Sequence, residues 1–198
     1  MTESLDLSWP SYDVGPRDCI FALGVVSLSY AQLEFAFSGM FKTVTGIDRN
    51  TAELLLPRIR NDIRLNLMRE RLPQHGWPLD ITDRVSSFLD AFDICAANRN
   101  DLMHSNVFLT ADAIILYKTS NSGRTLSCNP TLKELHQIAD DIHTLTDYGL
   151  VLSNVINLSL LASENSHPVP PWPDAPPSSN RLQYSGDTRE VRGLHQDL

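Results

Sequence analysis

One long stretch with almost no charge limits what this chain can fold into. From Cys19 to Phe41 the sequence carries a single charged residue, Glu34, over 23 residues, which is enough for a helix to cross a bilayer. Serine, glutamine and glutamate side chains interrupt the middle of the stretch, and such side chains make membrane insertion costly. We therefore predict that it forms the central helix of a soluble fold, from about Arg17 to Val44, and not a membrane span.

This first helix is apolar on nearly all of its sides. That is typical of a helix that packs against its own fold on one face and against a partner subunit on another. The pattern therefore predicts a homodimer formed through this helix. Glu34 lies inside one of its apolar lines, so a carboxylate is directed towards the core. The apolar members of that line are Leu23, Tyr30, Phe37 and Phe41.

A second amphipathic helix is predicted from about Leu79 to Ser105, and its apolar stripe points at an arginine. At about 100° per residue, Arg99 falls within about 40° of the centre of the stripe. Burying a guanidinium without partners is costly, so the fold must supply an anion or open into a cleft there. Two arrangements satisfy this: Glu34 and Arg99 meet, or both face one shared polar pocket. The stripe consists of Val85, Phe88, Leu89, Phe92 and Ala96.

Length and composition predict a single soluble domain with a tail. The chain has 198 residues, of which 42% are hydrophobic, enough for a substantial core. A formal net charge of -8 argues against a protein that coats nucleic acid indiscriminately. The N-terminus lacks a secretory pattern and the three cysteines lack metal-ligand spacing, so we expect a cytoplasmic protein without a metal or cofactor. Cys95 fits a small core residue, with a catalytic thiol as the alternative.

A second helical region, from about Asn50 to Leu72, is predicted to bend or restart near Pro57. Between positions 49 and 71 it carries six arginines against three acidic residues. Arginine grips phosphate through paired hydrogen bonds, so this face is a candidate RNA-binding surface. The alternative is a solvated face held by ion pairs between residues four apart. The RNA-binding candidates are Arg58, Arg60 and Arg64.

After Ser105 the apolar pattern changes to a period of two. A turn at Asn121-Ser122-Gly123 joins two such stretches and predicts a small antiparallel hairpin. Thr131 and Glu134 then have the spacing of a capping box, which begins a last long helix that runs to about Ala162.

The predicted fold class is therefore mainly α. We expect an up-down bundle of four to five helices over residues 17–163, with the hairpin before the last helix. Residues 1–16 have the composition of an extended lead-in. Residues 164–198 are rich in proline and predict a disordered tail, although Trp172 offers one anchor for docking on the body or on a partner.

The end of the second amphipathic helix carries a short motif of polar residues. Arg99 is followed at once by Asn100 and five residues later by His104, and Asn100 and His104 share a flank of the helix. An arginine, a polar residue and a histidine at this spacing, on one helix of a small bundle, resemble the mark of the HEPN superfamily. The resemblance covers roughly residues 17 to 162.

The resemblance implies a metal-independent endoribonuclease that works as a dimer, often as a toxin with an antitoxin partner or as a phage-defence effector. His104 would move a proton near neutral pH, and Arg99 would stabilise charge on the phosphoryl oxygens. Asn100 would orient the imidazole or the phosphate, and Glu34 would hold Arg99 in place. Attack by the RNA 2′-hydroxyl would leave a 2′,3′-cyclic phosphate and a 5′-hydroxyl end.

Two other interpretations stay open at this point. Arg99 and Glu34 are also explained by a buried ion pair that locks two helices, with His104 favoured at a helix C-terminus by the dipole. A HEPN-like module that binds RNA, a nucleotide or a protein without cutting would share the same pattern.

Overall fold

The computed structural model describes residues 15–110, 113–120, 122–165 and 171–185. It is a mainly helical bundle with a small antiparallel sheet before the last helix, as predicted. The predicted lead-in, apart from its last two residues, lies outside the described residues. The helices are α1 (Arg17–Thr45), α2 (Arg49–Leu55), α3 (Asn61–Arg71), α4 (Leu79–His104) and α5 (Leu132–Asn165), and the strands are β1 (Asn106–Leu109), β2 (Ile114–Thr119) and β3 (Thr125–Cys128).

Local sequence signals explain where the helices begin and end. α1 stops at Gly46, whose φ of 71° is left-handed and whose N–H donates to the carbonyl of Lys42. The predicted break in the second helical region is confirmed, because Pro57 lies in a 3-10 turn (Leu56–Arg58) between α2 and α3. At α5 the predicted capping box forms: the Thr131 N–H donates to Glu134 Oε2 at 2.7 Å, and the Glu134 N–H donates to Thr131 Oγ1 at 3.2 Å.

Aromatic rings fix how the long helices pack. Phe37 of α1 stacks on Phe92 of α4 with ring centroids 3.8 Å apart, and both are fully buried. Tyr30 lies beside the same Phe92 ring, at 6.2 Å. Further along α4, Arg99 lies over the Tyr30 ring, seven residues before Phe37 on α1, so the two helices run antiparallel and the end of α4 lies close to the middle of α1. On the other side, Thr43 of α1 contacts Ser153 of α5 at 3.2 Å.

The sheet has three strands in the order β1-β2-β3, all antiparallel. The predicted hairpin is β2 and β3, and β1, which directly follows α4, adds a strand to it. Ile114 and Leu116 of β2 are buried in the core. The sheet therefore closes the end of the bundle at which α4 terminates.

Residues 171–185 differ from the expectation of a disordered tail. This segment, called the strap below, lies extended along the bundle, and Trp172, Leu182 and Tyr184 pack against the core. Ser185 extends the sheet through a bridge to Ser127 of β3, with N···O distances of 2.9 and 3.1 Å. Composition alone did not predict that the strap packs on the bundle, because a few anchors can hold a proline-rich chain that has no apolar periodicity. The remaining tail residues, 166–170 and 186–198, lie outside the described residues.

α1 is long and apolar enough to cross a membrane by length and composition, and 33% of its most apolar window is buried in the molecule. Its buried face packs on α3, α4 and α5. Its outer face exposes Phe21, Leu28 and Phe35, each about three-quarters accessible at 73%, 73% and 74%. α1 is therefore the core helix of the bundle and also presents an uncovered apolar face.

Candidate active site

The last two turns of α4 bring the three motif side chains together. Arg99 Nη1 lies 3.1 Å from His104 Nε2 and 3.2 Å from Asn100 Oδ1. A guanidinium can only donate, so His104 Nε2 accepts in this arrangement and the imidazole proton resides on Nδ1. Asn100 and His104 are exposed and Arg99 is half-buried. The trio is thus a solvent-accessible cluster at the end of a helix.

Arg99 reaches back from this cluster into the bundle. Its guanidinium carbon lies 5.4 Å from the centroid of the Tyr30 ring, within the range of a cation-π contact. Its Nε is buried and has no hydrogen-bond partner among the described residues. A buried donor without a partner costs free energy, and the Arg99 side chain must shift before an oxygen in the site can reach this one.

Glu34 does not pair with Arg99. No contact within 4.0 Å joins the two charged groups in the part of the chain that the structure describes. Instead, Asn61 of α3 donates to Glu34 Oε1 at 3.3 Å and to the Tyr30 hydroxyl at 3.0 Å. Burial, reinforced by the charge of Glu34, raises the pKa of Tyr30 above its ordinary value, so the phenol stays protonated. Of the two expected arrangements, the direct ion pair is absent, and Tyr30 lies between the carboxylate and the guanidinium.

A groove between α3 and α4 leads to the motif from the arginine-rich region. Its volume is about 430 Å³, with Ala96 and Ala97 as the floor and Asn100 at one edge. Arg60 and Arg64 also line it, together with Asp62 and Asp93. The small alanine side chains leave room in the groove, and the two aspartates balance the formal charge of the two arginines.

The three arginines predicted to bind RNA occupy different settings. Arg60 is exposed and paired with Asp62, two residues away, at 2.9 Å; the four-residue spacing of the solvated alternative occurs instead at Arg49 and Glu53. Arg64 is half-buried, donates Nε to the carbonyl of Ile59 at 2.8 Å, and has its pKa lowered by burial. Arg58 is exposed, donates to the carbonyl of Leu54 at the end of α2 and does not line the groove. Arg60 and Arg64 are thus the two that the fold places near Asn100.

Tyr30 and Asn61 belong to the cluster but were not singled out from the sequence. Tyr30 was assigned to an apolar line, where its spacing gives no indication of an arginine above the ring. Asn61 comes from a different helix and has no fixed spacing to the motif. Its position at the start of α3, directly after an arginine, was the only signal available.

Other side chains in the described residues give little support to different chemistry. No group of three or more potential metal ligands occurs there. Cys95 is buried, and desolvation raises the pKa of its thiol to about 11, so it is not activated as a nucleophile at neutral pH.

Comparison with known proteins yields no family model, no curated protein and no solved structure that matches this chain.

Proposed function

We propose that the protein is a metal-independent endoribonuclease of the HEPN type, with Arg99, Asn100 and His104 as its catalytic residues. The observation that carries the proposal is the 3.1 Å contact between Arg99 Nη1 and His104 Nε2 beside an open groove. A proton-transfer group and a fixed positive charge are thereby held within reach of one phosphodiester. The resemblance of the motif adds support from the sequence.

The proposed reaction needs only groups that the chain and the RNA supply. An entering phosphate accepts from Arg99 Nη1, which frees His104 Nε2. That nitrogen removes the proton of the 2′-hydroxyl while the 2′ oxygen bonds to phosphorus. The bond from phosphorus to the 5′ oxygen breaks, and this oxygen takes up a proton from the His104 of a second copy, which enters the step as imidazolium and is released from Arg99; the proton on the first His104 passes to solvent. The products are a 2′,3′-cyclic phosphate and a 5′-hydroxyl end.

A cytoplasmic homodimer formed through α1 is part of this proposal. Phe21, Leu28 and Phe35 are spaced seven residues apart and lie on one exposed side of α1, so they form a continuous apolar line. An uncovered line of this kind is typical of a protein-protein contact. An antitoxin that covers the site is the partner class that a toxin role would require.

The decisive experiment is cleavage of end-labelled RNA in excess EDTA. We expect the parent protein to leave cyclic phosphate ends, and His104→Ala to cleave about 10²–10⁴-fold more slowly, as is typical when a general acid-base group is removed. His143→Ala is the matched control, because this exposed histidine on α5 makes only a long contact of 3.8 Å with Asp147. Full cleavage by His104→Ala would disprove the assignment.

A non-catalytic RNA-binding module is the second candidate. The observation that favours it is that the groove is lined by Arg60, Arg64 and Asn100, whereas Arg99 and His104 are not among its lining residues. This candidate predicts that labelled RNA binds without being cut, and that Arg60→Ala with Arg64→Ala weakens binding most at low salt. Fluorescence anisotropy over a salt series, read beside the cleavage assay, distinguishes the two candidates.

A further inference from the structure

The strap runs along α4, on a flank of the helix that does not carry Asn100 and His104. Most of its contacts follow the order of the α4 sequence, so the two segments run in the same direction, while the long side chain of Arg181 reaches back to Asp93 at 3.0 Å. The first contact is at Arg84 and the last at Ser105, about 31 Å apart along a helix that rises about 1.5 Å per residue. An extended chain covers that length in about ten residues. The paired residues are Arg84 with Pro173, Cys95 with Ser179, Asn98 with Asn180 and Leu182, and Ser105 with Tyr184.

Asn98 is the centre of this contact. Its side chain is 2% exposed, and its amide satisfies both of its functions on the strap backbone. Nδ2 donates to the carbonyl of Asn180 at 2.8 Å, and Oδ1 accepts from the N–H of Leu182 at 2.9 Å. One buried side chain thus binds an extended segment much as a neighbouring β-strand would.

Two further contacts hold the last turn of α4. Ser105 Oγ lies 3.2 Å from the Tyr184 hydroxyl. The Tyr184 ring covers Lys118 Nζ at 3.8 Å, and that ammonium holds both carboxylate oxygens of Asp101 at 2.9 Å. At about 100° per residue, positions 98, 101 and 105 centre about 110° away from Asn100 and His104, so the two sets occupy different flanks of the same two turns.

We propose that the strap is a positioning element of the active site, and that Asn98 and Tyr184 are its positioning residues. Helix ends open more easily than helix centres, and His104 is the last residue of α4. Through its contacts with Asn98 and Ser105, the strap holds this end of α4 and so keeps Arg99 and His104 at their short spacing. Its effect on catalysis rests on the function proposed above, whereas its effect on the order of α4 does not.

The first test uses the full chain with Asn98→Asp and, separately, Tyr184→Phe. Asn98→Asp keeps the shape of the side chain but sets a carboxylate oxygen against the Asn180 carbonyl. Gln183→Ala is the control, because that exposed side chain bonds only to the neighbouring Arg181 carbonyl. We expect faster hydrogen exchange in residues 99–105 and 178–185 of both variants. For cleavage we expect kcat to fall about tenfold or more in Asn98→Asp, with KM changed less than about twofold.

A second test restores the strap covalently. Cys95 Sγ and Ser179 Oγ are 3.8 Å apart, so Ser179→Cys places a second thiol within reach of the native one. In the Asn98→Asp background, oxidation should restore both slow exchange in residues 99–105 and kcat, and reduction should remove both again. Because a disulfide also stabilises the fold, kcat is calculated per folded protein, with the folded fraction measured by circular dichroism in the same samples; a variant that is merely less stable would show the parent kcat on this basis.

The outcomes separate the strap from the proposed function. If residues 178–185 exchange faster while residues 99–105 stay protected and kcat is unchanged, the positioning role is wrong. It is equally wrong if the disulfide forms and kcat does not return. If even the parent protein fails to cleave RNA, the proposed function fails, and the exchange of residues 99–105 in Asn98→Asp still decides whether the strap orders the end of α4.

Discussion

Asn98 and Arg99 are neighbours on α4, yet the buried polar atoms of their side chains differ in hydrogen bonding. The Asn98 amide is buried with a partner for its donor and its acceptor. Arg99 keeps a buried Nε without a partner among the described residues, and its other contacts are to exposed side chains and to an aromatic ring.

The difference separates two roles along one helix. A polar group that holds a structure together is fully bonded, because an unmet bond would cost stability. A group that binds a ligand has a hydrogen-bonding atom without a partner in the free protein. The strap side of α4 fits the first description and the site side fits the second. The predictions below test whether this contrast is real.

The largest expected effect is on stability when Asn98 is truncated. Asn98→Ala removes two hydrogen bonds and leaves a strap carbonyl and a strap N–H unpaired, so we expect the free energy of unfolding to fall by about 2–4 kcal/mol. Asn100→Ala, on the exposed side, should change it by less than about 0.5 kcal/mol. Urea denaturation measures both. Equal losses would show that the two faces of α4 are not different.

The second effect concerns the reactivity of Cys95 under the strap. Burial, opposed in part by the Ser179 contact, raises the pKa of its thiol to about 11, above the ordinary 9.0. The raised pKa contributes stability below about pH 9, and that contribution is lost as the pH rises towards about 11.

At pH 8 we expect Asn98→Asp to increase alkylation of Cys95 about tenfold or more by freeing the strap and lowering the pKa towards its ordinary value. Mass spectrometry measures the rate, with Cys19 as the internal control. No acceleration would show that the thiol is not protected by the strap.

A smaller effect is expected at the last turn of α4. Tyr184→Phe removes the hydrogen bond with Ser105 but keeps the ring over Lys118, so unfolding should become easier by about 0.5–1.5 kcal/mol. Gln183→Ala should leave the unfolding free energy unchanged in the same urea titration. A loss in the control as large as in Tyr184→Phe would place the stabilisation in the strap backbone rather than in this hydroxyl.

The smallest expected change in stability is at Arg99. Arg99→Met keeps the length of the side chain and removes a buried donor without a partner, at the cost of the contact with Tyr30. These terms nearly cancel, so the free energy of unfolding should stay within about 1 kcal/mol of the parent while RNA cleavage is lost. A loss of stability as large as that of Asn98→Ala would mean that Arg99 is a structural residue.

The sequence predicted what local patterns encode. α1 begins at Arg17 as expected and ends one residue beyond Val44, because an uncharged stretch and a glycine mark its limits. Pro57 breaks the helical region at its own position, and Thr131 and Glu134 form a cap within four residues. Both features are local in sequence, so the break and the cap were predictable. Arg99 and His104 are five residues apart, about 140° around the helix, so their 3.1 Å contact depends on the length of the arginine side chain and does not follow from spacing alone.

Contacts between distant segments were predicted less well. Glu34 and Arg99 both point inwards, but Tyr30 and Asn61 decide what lies between them, and helix periodicity does not encode that. Trp172 was offered as an anchor on the body and packs there, but the other contacts of the strap were not predicted because its anchors have no period. One signal was available: Asn98 interrupts an apolar line formed by Ala91, Cys95 and Leu102, and a buried amide needs partners.

The contacts of Asn98 also determine when the site can assemble. Their two strap partners lie 82 and 84 residues further along the chain. Such distant pairings close large loops and tend to form late in folding. During synthesis α4 emerges long before the strap, so a nascent chain carries the motif without its support. If the strap positions the catalytic residues, a partly synthesised chain is inactive, and activity arises only after residues 171–185 have emerged and docked.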